Sequence, residues 1–284
     1  MKSVAIIGSG ISGLSSSYLL RKKYNVHLYE KAHYFGGYSN TIDLYVNGKF
    51  IPVDTGFIVF NHRTYPNLLG FFKELDVATT KSDMSFGVTL KNNSLEYSGS
   101  SLNQFFAQKK NIFNPAFLNM GLDILTFNKA ALRATDQSLK GLTLENFISI
   151  LGLSQYFRDH YLYPMAGAIW STSSNRIGDF PAQTFIRFFK NHGLLTVTDH
   201  PQWYSVKDGS RQYVKKVIEQ QGINASLCQD IKAVARGQKT VTIKMADGTQ
   251  HVHDTVVFAT PVHRTLSLLE EPTPAEESIL SAFK

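Results

Sequence analysis

The chain has 284 residues, 43% of them apolar, with 29 Lys and Arg against 22 Asp and Glu for a formal net charge of +7. That length and apolar content suffice for a buried core in one or two domains and exclude a disordered or low-complexity chain. The single cysteine, Cys228, excludes an intramolecular disulfide, fits a reducing cytoplasmic compartment and reads as a small buried apolar residue.

In chain order, the apolar run Val4–Ile7 predicts a strand, and Gly8-Ser9-Gly10-Ile11-Ser12-Gly13 then turns into a helix carried by Leu14–Leu20. A second β-like run, Val26–Tyr29, ends at Glu30, 17 residues after Gly13, and the pair Gly36-Gly37 follows. Strand, glycine bend, helix, strand and acid in this order describe a dinucleotide-binding βαβ unit. Gly8 serves the tight turn, Gly10 lets backbone approach a diphosphate, and Gly13 lets helix and sheet pack closely. The N–H groups near Ile11 and Ser12 and the helix dipole favour the negative charge. Glu30 stands where a ribose 2′-OH donates, which argues against the 2′-phosphate of NADP. NAD and FAD are not separated by these residues.

The strands Thr41–Val46 and Lys49–Val53 flank the turn Asn47-Gly48. From Arg63 to Ser205 helical patterning and aromatic residues dominate; Pro115 opens one helix, Thr143 caps another over Leu144–Leu151, and Pro164 ends a third. After Gln202 the pattern returns to a helix capped by Ser210 and running to Gln221. The strands Ser226–Ala235, Thr240–Met245, Gln250–His253 and Thr255–Ala259 come next. Residues Ala275–Lys284 read as an amphipathic helix without a C-terminal cap.

The +7 charge is scattered without a nucleic-acid motif, so it reads as a solvated surface and leaves peripheral membrane contact open. No run is long and apolar enough for a membrane span, and glycines interrupt the N-terminal apolar run, against a signal peptide. The histidines and Cys228 show no metal-ligand spacing, so no metal is expected.

The stretch Glu30-Lys31-Ala32-His33-Tyr34-Phe35-Gly36-Gly37-Tyr38 resembles the extension after the βαβ unit in the FAD-dependent flavin-containing amine oxidase superfamily. Further motifs narrow it. They include Pro52-Val53-Asp54-Thr55-Gly56-Phe57, Asn61-His62-Arg63-Thr64-Tyr65-Pro66, Ala168-Ile169-Trp170-Ser171-Thr172 and Gly209-Ser210-Arg211-Gln212-Tyr213. This ordered set is similar to a bacterial subgroup of NAD/FAD-binding amine oxidoreductases associated with cyclopropane-fatty-acid synthase. Two departures stand out. Tyr38 takes the place where the superfamily often has Arg and the subgroup His, and members continue past Lys284 with a further flavin-facing segment, so the chain reads as C-terminally truncated.

The resemblance implies an α/β fold: a Rossmann-like, glutathione-reductase-like FAD-binding domain of residues 1–60 plus 205–262, and an inserted, mainly helical α+β substrate domain of 61–204 plus 263–284. It implies FAD, held by Gly8, Gly10, Ile11, Ser12, Gly13, Glu30, Lys31, Gly36, Gly37, Tyr38, Thr55, Gly56, Phe57, Ile231 and Thr260. Backbone at Thr55–Phe57 passes under the flavin, Ile231 pairs with adenine, and Thr260 lies beside the diphosphate. Asn61, Arg63, Tyr65 and Trp170 are the substrate candidates; no catalytic acid or base is named. The implied activity is an FAD-dependent oxidoreductase that oxidises, desaturates or isomerises an amine or acyl-lipid. Its alternatives are a truncated non-catalytic nucleotide-binding fragment or an NAD-dependent dehydrogenase.

Overall fold

The computed structural model describes residues 1–90, 94–99, 101–196 and 201–283; Lys284, the last residue of the expected terminal helix, lies outside them. The chain divides into two units, one of Met1–Phe60, Tyr65–Ser82 and Tyr204–Lys284, the other of Asn61–Thr64 and Asp83–Trp203.

In the first unit, β1 (Lys2–Ile7), α1 (Ile11–Leu20) and β2 (Tyr24–Tyr29) form the βαβ core. Four parallel strands run in the order Ile223–Ser226, β2, β1, Thr255–Phe258, with Val4 opposite Val26 and Ile6 opposite Leu28. Both faces of β1 are covered, which is why Val4 to Ile7 is a continuous apolar run rather than an alternating one. Val4, Ile6, Val26 and Leu28 pack on Leu14 and Tyr18 of α1 and on Tyr213, Val214 and Val217 of the helix Arg211–Ile218. Ala5, Ile7 and Tyr29 face the other way, against Ile231, Val234, Ile243 and Met245. Those residues come from an antiparallel meander of Ile231–Arg236, Val241–Met245 and Gln250–His253.

The hairpin of β3 (Thr41–Val46) and β4 (Lys49–Asp54) turns at Asn47 and Gly48, both at positive φ (50° and 79°), the two-residue geometry that matches strand twist. The helix Arg211–Ile218 starts differently from expectation. The Ser210 hydroxyl does not cap it; it donates to Asp54 Oδ1 (2.7 Å), and Asp54 also accepts from Ser210 N (2.9 Å). Thr41 Oγ1 accepts from Arg211 N (3.0 Å). Two residues of the hairpin therefore satisfy N–H groups at the start of a helix remote in sequence.

The helices Val262–Leu268 and Pro274–Ser281 pack with this unit, Leu268 being buried beside Ile231 and Val234, so residues 263–283 do not join the second unit as expected. Cys228 is also a correction: it is exposed, with φ 58°, in the turn between Ile223–Ser226 and Ile231–Arg236, where a tight reversal rather than a core slot decides its place.

The second unit is built on the helix Pro115–Arg133. Asn114 caps it, accepting from the N–H groups of Ala116 (3.1 Å) and Phe117 (3.3 Å), and Pro115 sets its first turn. Phe117, Met120, Ile124, Phe127 and Ala131 line one face and join Phe147, Phe157, Phe185 and Phe189 in the core. Thr143 caps Leu144–Ile150 in a capping box with Asn146. Pro164 does not end a helix. A π turn at Arg158–Leu162 leads directly into Tyr163–Trp170, so the helix runs on through the proline, and the carbonyl four residues before it, His160 O, accepts from the Tyr97 hydroxyl (2.5 Å) in place of the missing N–H.

Candidate functional site

The site is built at the C-terminal end of β1, inside the first unit. Gly8 takes φ 99° and donates its N–H to Tyr29 O (2.8 Å), turning the chain off the strand. A Cβ on Gly8 would stand 2.6 Å from Ala259 O, and one on Gly13 would stand 1.8 Å from Gly8 O. These two glycines are fixed by packing of the protein on itself. Gly10 is different: a Cβ there would meet no atom within 4 Å. Its backbone precedes α1, which has no side-chain cap and no acid in its first turn, and Ile11 and Ser12 are exposed. The bend thus presents bare backbone and the positive end of a helix on a free side, the arrangement an anion needs.

Glu30 supports the bend. Its Oε2 accepts from Ser9 N (2.9 Å) and Ser9 Oγ (2.5 Å), and its Oε1 accepts from Ala32 N (2.8 Å). Ser9 is fully buried, and its hydroxyl also accepts from Gly36 N (3.1 Å). Sequence reasoning passed over Ser9; the signal available was a hydroxyl inside the glycine bend paired with an acid at the end of the next strand. A carboxylate offers about four lone-pair positions, and the three donors on Glu30 leave one on Oε1.

The glycine pair folds back on this bend. Gly37, at φ 59°, approaches so closely that its Cβ would stand 3.0 Å from Gly10 Cα. Tyr38 is 88% exposed, but its carbonyl accepts from Phe57 N (2.9 Å) and would lie 2.4 Å from a Cβ on Gly56. Thr55 N donates to Asn40 O (2.9 Å). The segments Gly8–Gly13, Gly36–Tyr38 and Thr55–Phe57 therefore form one continuous backbone surface. Thr260 joins it, its Cγ2 lying 3.3 Å from where a Gly8 Cβ would stand and its hydroxyl bonded to Thr265 (2.8 Å).

Other predicted residues lie elsewhere or are already engaged. Lys31 pairs with Asp230 (3.4 Å), whose carboxyl the neighbouring Lys232 and Lys31 hold below the usual range. Ile231 is buried; its N–H donates to Gln229 O (3.1 Å) and its carbonyl accepts from Arg264 (3.2 Å), so only one carbonyl lone pair is left for a ligand. Tyr65 belongs to the first unit, at the start of the helix Pro66–Glu74, and burial pushes its phenol up. Asn61 and Arg63 belong to the second unit. There Asn61 Oδ1 accepts from Arg63 N (2.9 Å), Thr64 N (2.9 Å) and the Thr64 hydroxyl (3.1 Å), an Asx-type turn, while its buried Nδ2 has no partner among the described residues. Trp170 packs against Phe180, Phe185 and Phe188, with ring centroids 5.4, 5.2 and 4.8 Å away, in the second unit's aromatic core.

Residues 6–75 match an NAD(P)-binding Rossmann-like domain. No curated protein matches the chain. Among solved structures, the chain is similar to a CLA-producing fatty acid isomerase from P. acnes (14% identity, TM-score 0.65), covering 99% of this chain and 63% of that one. It is also similar to putrescine oxidase bound to putrescine (17% identity, TM-score 0.71), again over 99% of this chain and 63% of the other. An oxidoreductase from Methanosarcina mazei aligns at 17% identity and TM-score 0.64, over 99% of this chain and 64% of its own. At these identities the likeness is one of fold: a Rossmann-like α/β domain with its parallel sheet. The chain spans just under two thirds of these proteins' length.

Proposed function

We propose that this chain binds FAD at the Gly8–Gly13 bend and serves an oxidoreductase of the amine oxidase type, acting on an amine or an acyl-lipid. The observation that carries the reading is the asymmetry of the three glycines. Gly8 and Gly13 are closed by the protein's own backbone, whereas Gly10 is open beside an uncapped helix start. Structural neighbours that include an amine oxidase and a fatty acid isomerase support the class and leave both substrate types in play.

FAD, when bound, supplies two-electron redox chemistry; the chain supplies position and surroundings. The N–H groups of Ile11 and Ser12 at the start of α1 receive the diphosphate, with Gly10 giving it room. Glu30 Oε1 accepts from the ribose hydroxyl while its other donors hold Ser9 and Ala32 in place. Gly37 and Tyr38 line the approach to the diphosphate, and the Thr55–Phe57 backbone underlies the isoalloxazine. Ile231 meets the adenine through the remaining carbonyl lone pair and van der Waals contact. Asn61, Arg63 and Tyr65 are the polar candidates for substrate contact; Trp170 keeps a packing role.

The test is purification of the chain with FAD followed by anaerobic titration with a panel of amines and unsaturated fatty acids. Retained flavin absorption that one class bleaches or perturbs supports the reading. Flavin retained but unaffected by any member of the panel favours a nucleotide-binding chain without turnover. Tight NADH binding with no FAD uptake favours a nicotinamide-dependent dehydrogenase.

A further inference from the structure

The helix Pro115–Arg133 is apolar on two sides. Its inner face fills the second unit's core, as a helix in a globular unit requires. Its outer face carries a second row, Leu118, Leu122, Leu125 and Leu132, at spacings of four, three and seven residues, all exposed and Leu122 by 63%. The preceding turn, Lys109–Phe113, adds Ile112 and a Phe113 that is 87% exposed. A groove of about 340 Å³ between Leu125, Leu132 and Leu195 continues the apolar surface. Single exposed leucines are ordinary; a connected row with an aromatic at one end is not.

Within residues 102–133 the exposed charges have one sign. Residues 102–133 hold Lys109, Lys110, Lys129 and Arg133, all exposed, and none of them forms an ion pair among the described residues. The one acid in the same stretch, Asp123, is buried and accepts from Asn119 and Ser154. Asp136, just beyond, is paired with Arg187 (2.7 Å). Lys129 lies within the leucine row, where its stem can lie along apolar surface with the ammonium at the edge. Among the described residues no helix is long and apolar enough to cross a membrane.

We propose that this face docks on the surface of an anionic lipid bilayer, with Phe113 and the four leucines entering the headgroup boundary and the four cations meeting lipid phosphates. An amphipathic helix with basic flanks binds an interface by the sum of those two contributions. Each cation near an anionic surface multiplies partitioning by about fivefold, and both contributions are needed for a stable hold. The inference does not rest on the flavin reading, since the face needs no cofactor.

The experiment is sedimentation of the purified chain with phosphatidylcholine vesicles, with and without phosphatidylglycerol. Binding is expected to the anionic vesicles only, and to weaken as salt rises. The pair Leu122→Glu with Leu125→Glu, and separately Lys109→Glu with Lys110→Glu, are each expected to cut partitioning at least tenfold while circular dichroism and the melting midpoint stay unchanged. No pelleting with anionic vesicles would overturn the proposal, as would binding that neither pair weakens. Self-association of the wild-type chain that the leucine pair abolishes, without vesicle binding, would assign the face to a second copy instead.

Discussion

Replacing Gly10 by Ala separates a cofactor cradle from a structural turn. The native backbone at Gly10 (φ −64°, ψ −178°) is one that alanine adopts without strain, and its methyl would meet no atom within 4 Å. The smaller backbone entropy of the unfolded chain then favours Gly10→Ala by about 0.4–1 kcal/mol, roughly offset by alanine's poor fit to a helix N-cap. The expected change in stability is therefore within about 1 kcal/mol. FAD binding should respond differently, because the methyl fills the space through which the diphosphate reaches the start of α1. An extra methyl forced into a close contact costs about 1–3 kcal/mol, which corresponds to a loss of affinity of about 5- to 150-fold. Gly13→Ala is the contrast: its Cβ would stand 1.8 Å from a backbone oxygen. No side-chain movement relieves that, and unfolding should become easier by about 3 kcal/mol or more. Urea denaturation and FAD titration by flavin fluorescence read the two effects separately. Undiminished FAD affinity in Gly10→Ala would refute the reasoning.

Three further outcomes follow from the same geometry. Glu30→Gln turns one acceptor oxygen into a donor toward Ser9 or Ala32, so urea denaturation should show a loss of about 1.5–3 kcal/mol for the broken charge-assisted bond, with weaker FAD binding. Asp54→Ala strands three donors from Thr41 and Ser210 and should cost about 2–4 kcal/mol, with Asp54→Asn milder; thermal melting checks the order. Burial and the neighbouring His27 and His251 depress the pKa of His253 from 6.5 to about 4, with Asp254 opposing. The unfolded chain then binds the proton first, so stability falls as pH drops from 6.5 towards about 4. His253→Gln, which keeps a partner for the Tyr29 hydroxyl, should flatten that part of the pH profile in urea unfolding.

The parts of this molecule legible in the sequence are those written within one stretch of chain. The bend from Gly8 to Gly13, the acid at Glu30 and the Asn47-Gly48 hairpin turn each follow from local periodicity and the φ angles that glycine permits. Two strands of the meander, Val241–Met245 and Gln250–His253, were readable for the same reason, whereas the single strand expected over Ser226–Ala235 is divided by the turn at Cys228 into the end of Ile223–Ser226 and the strand Ile231–Arg236. What escaped depends on residues that meet only after folding. Asp54 and Ser210 are 156 positions apart, and nothing at either position announces that one completes the other's helix. Likewise, Leu268 looks like any leucine in an amphipathic helix until the Ile231–Arg236 strand gives it a partner. Pro164 misled because proline carries a helix-breaking signal that a preceding π turn cancels. At the candidate site, Ser9 was hidden by its type: a serine between two glycines is ordinary until its hydroxyl is seen bonded to Glu30.

The most direct measurement is a crystal structure of the chain grown with FAD. The diphosphate should lie against Gly10 at the start of α1, with a ribose hydroxyl on Glu30 Oε1. FAD bound elsewhere, or a bend left without ligand at saturating FAD, would contradict the reading from which the proposed activity is drawn.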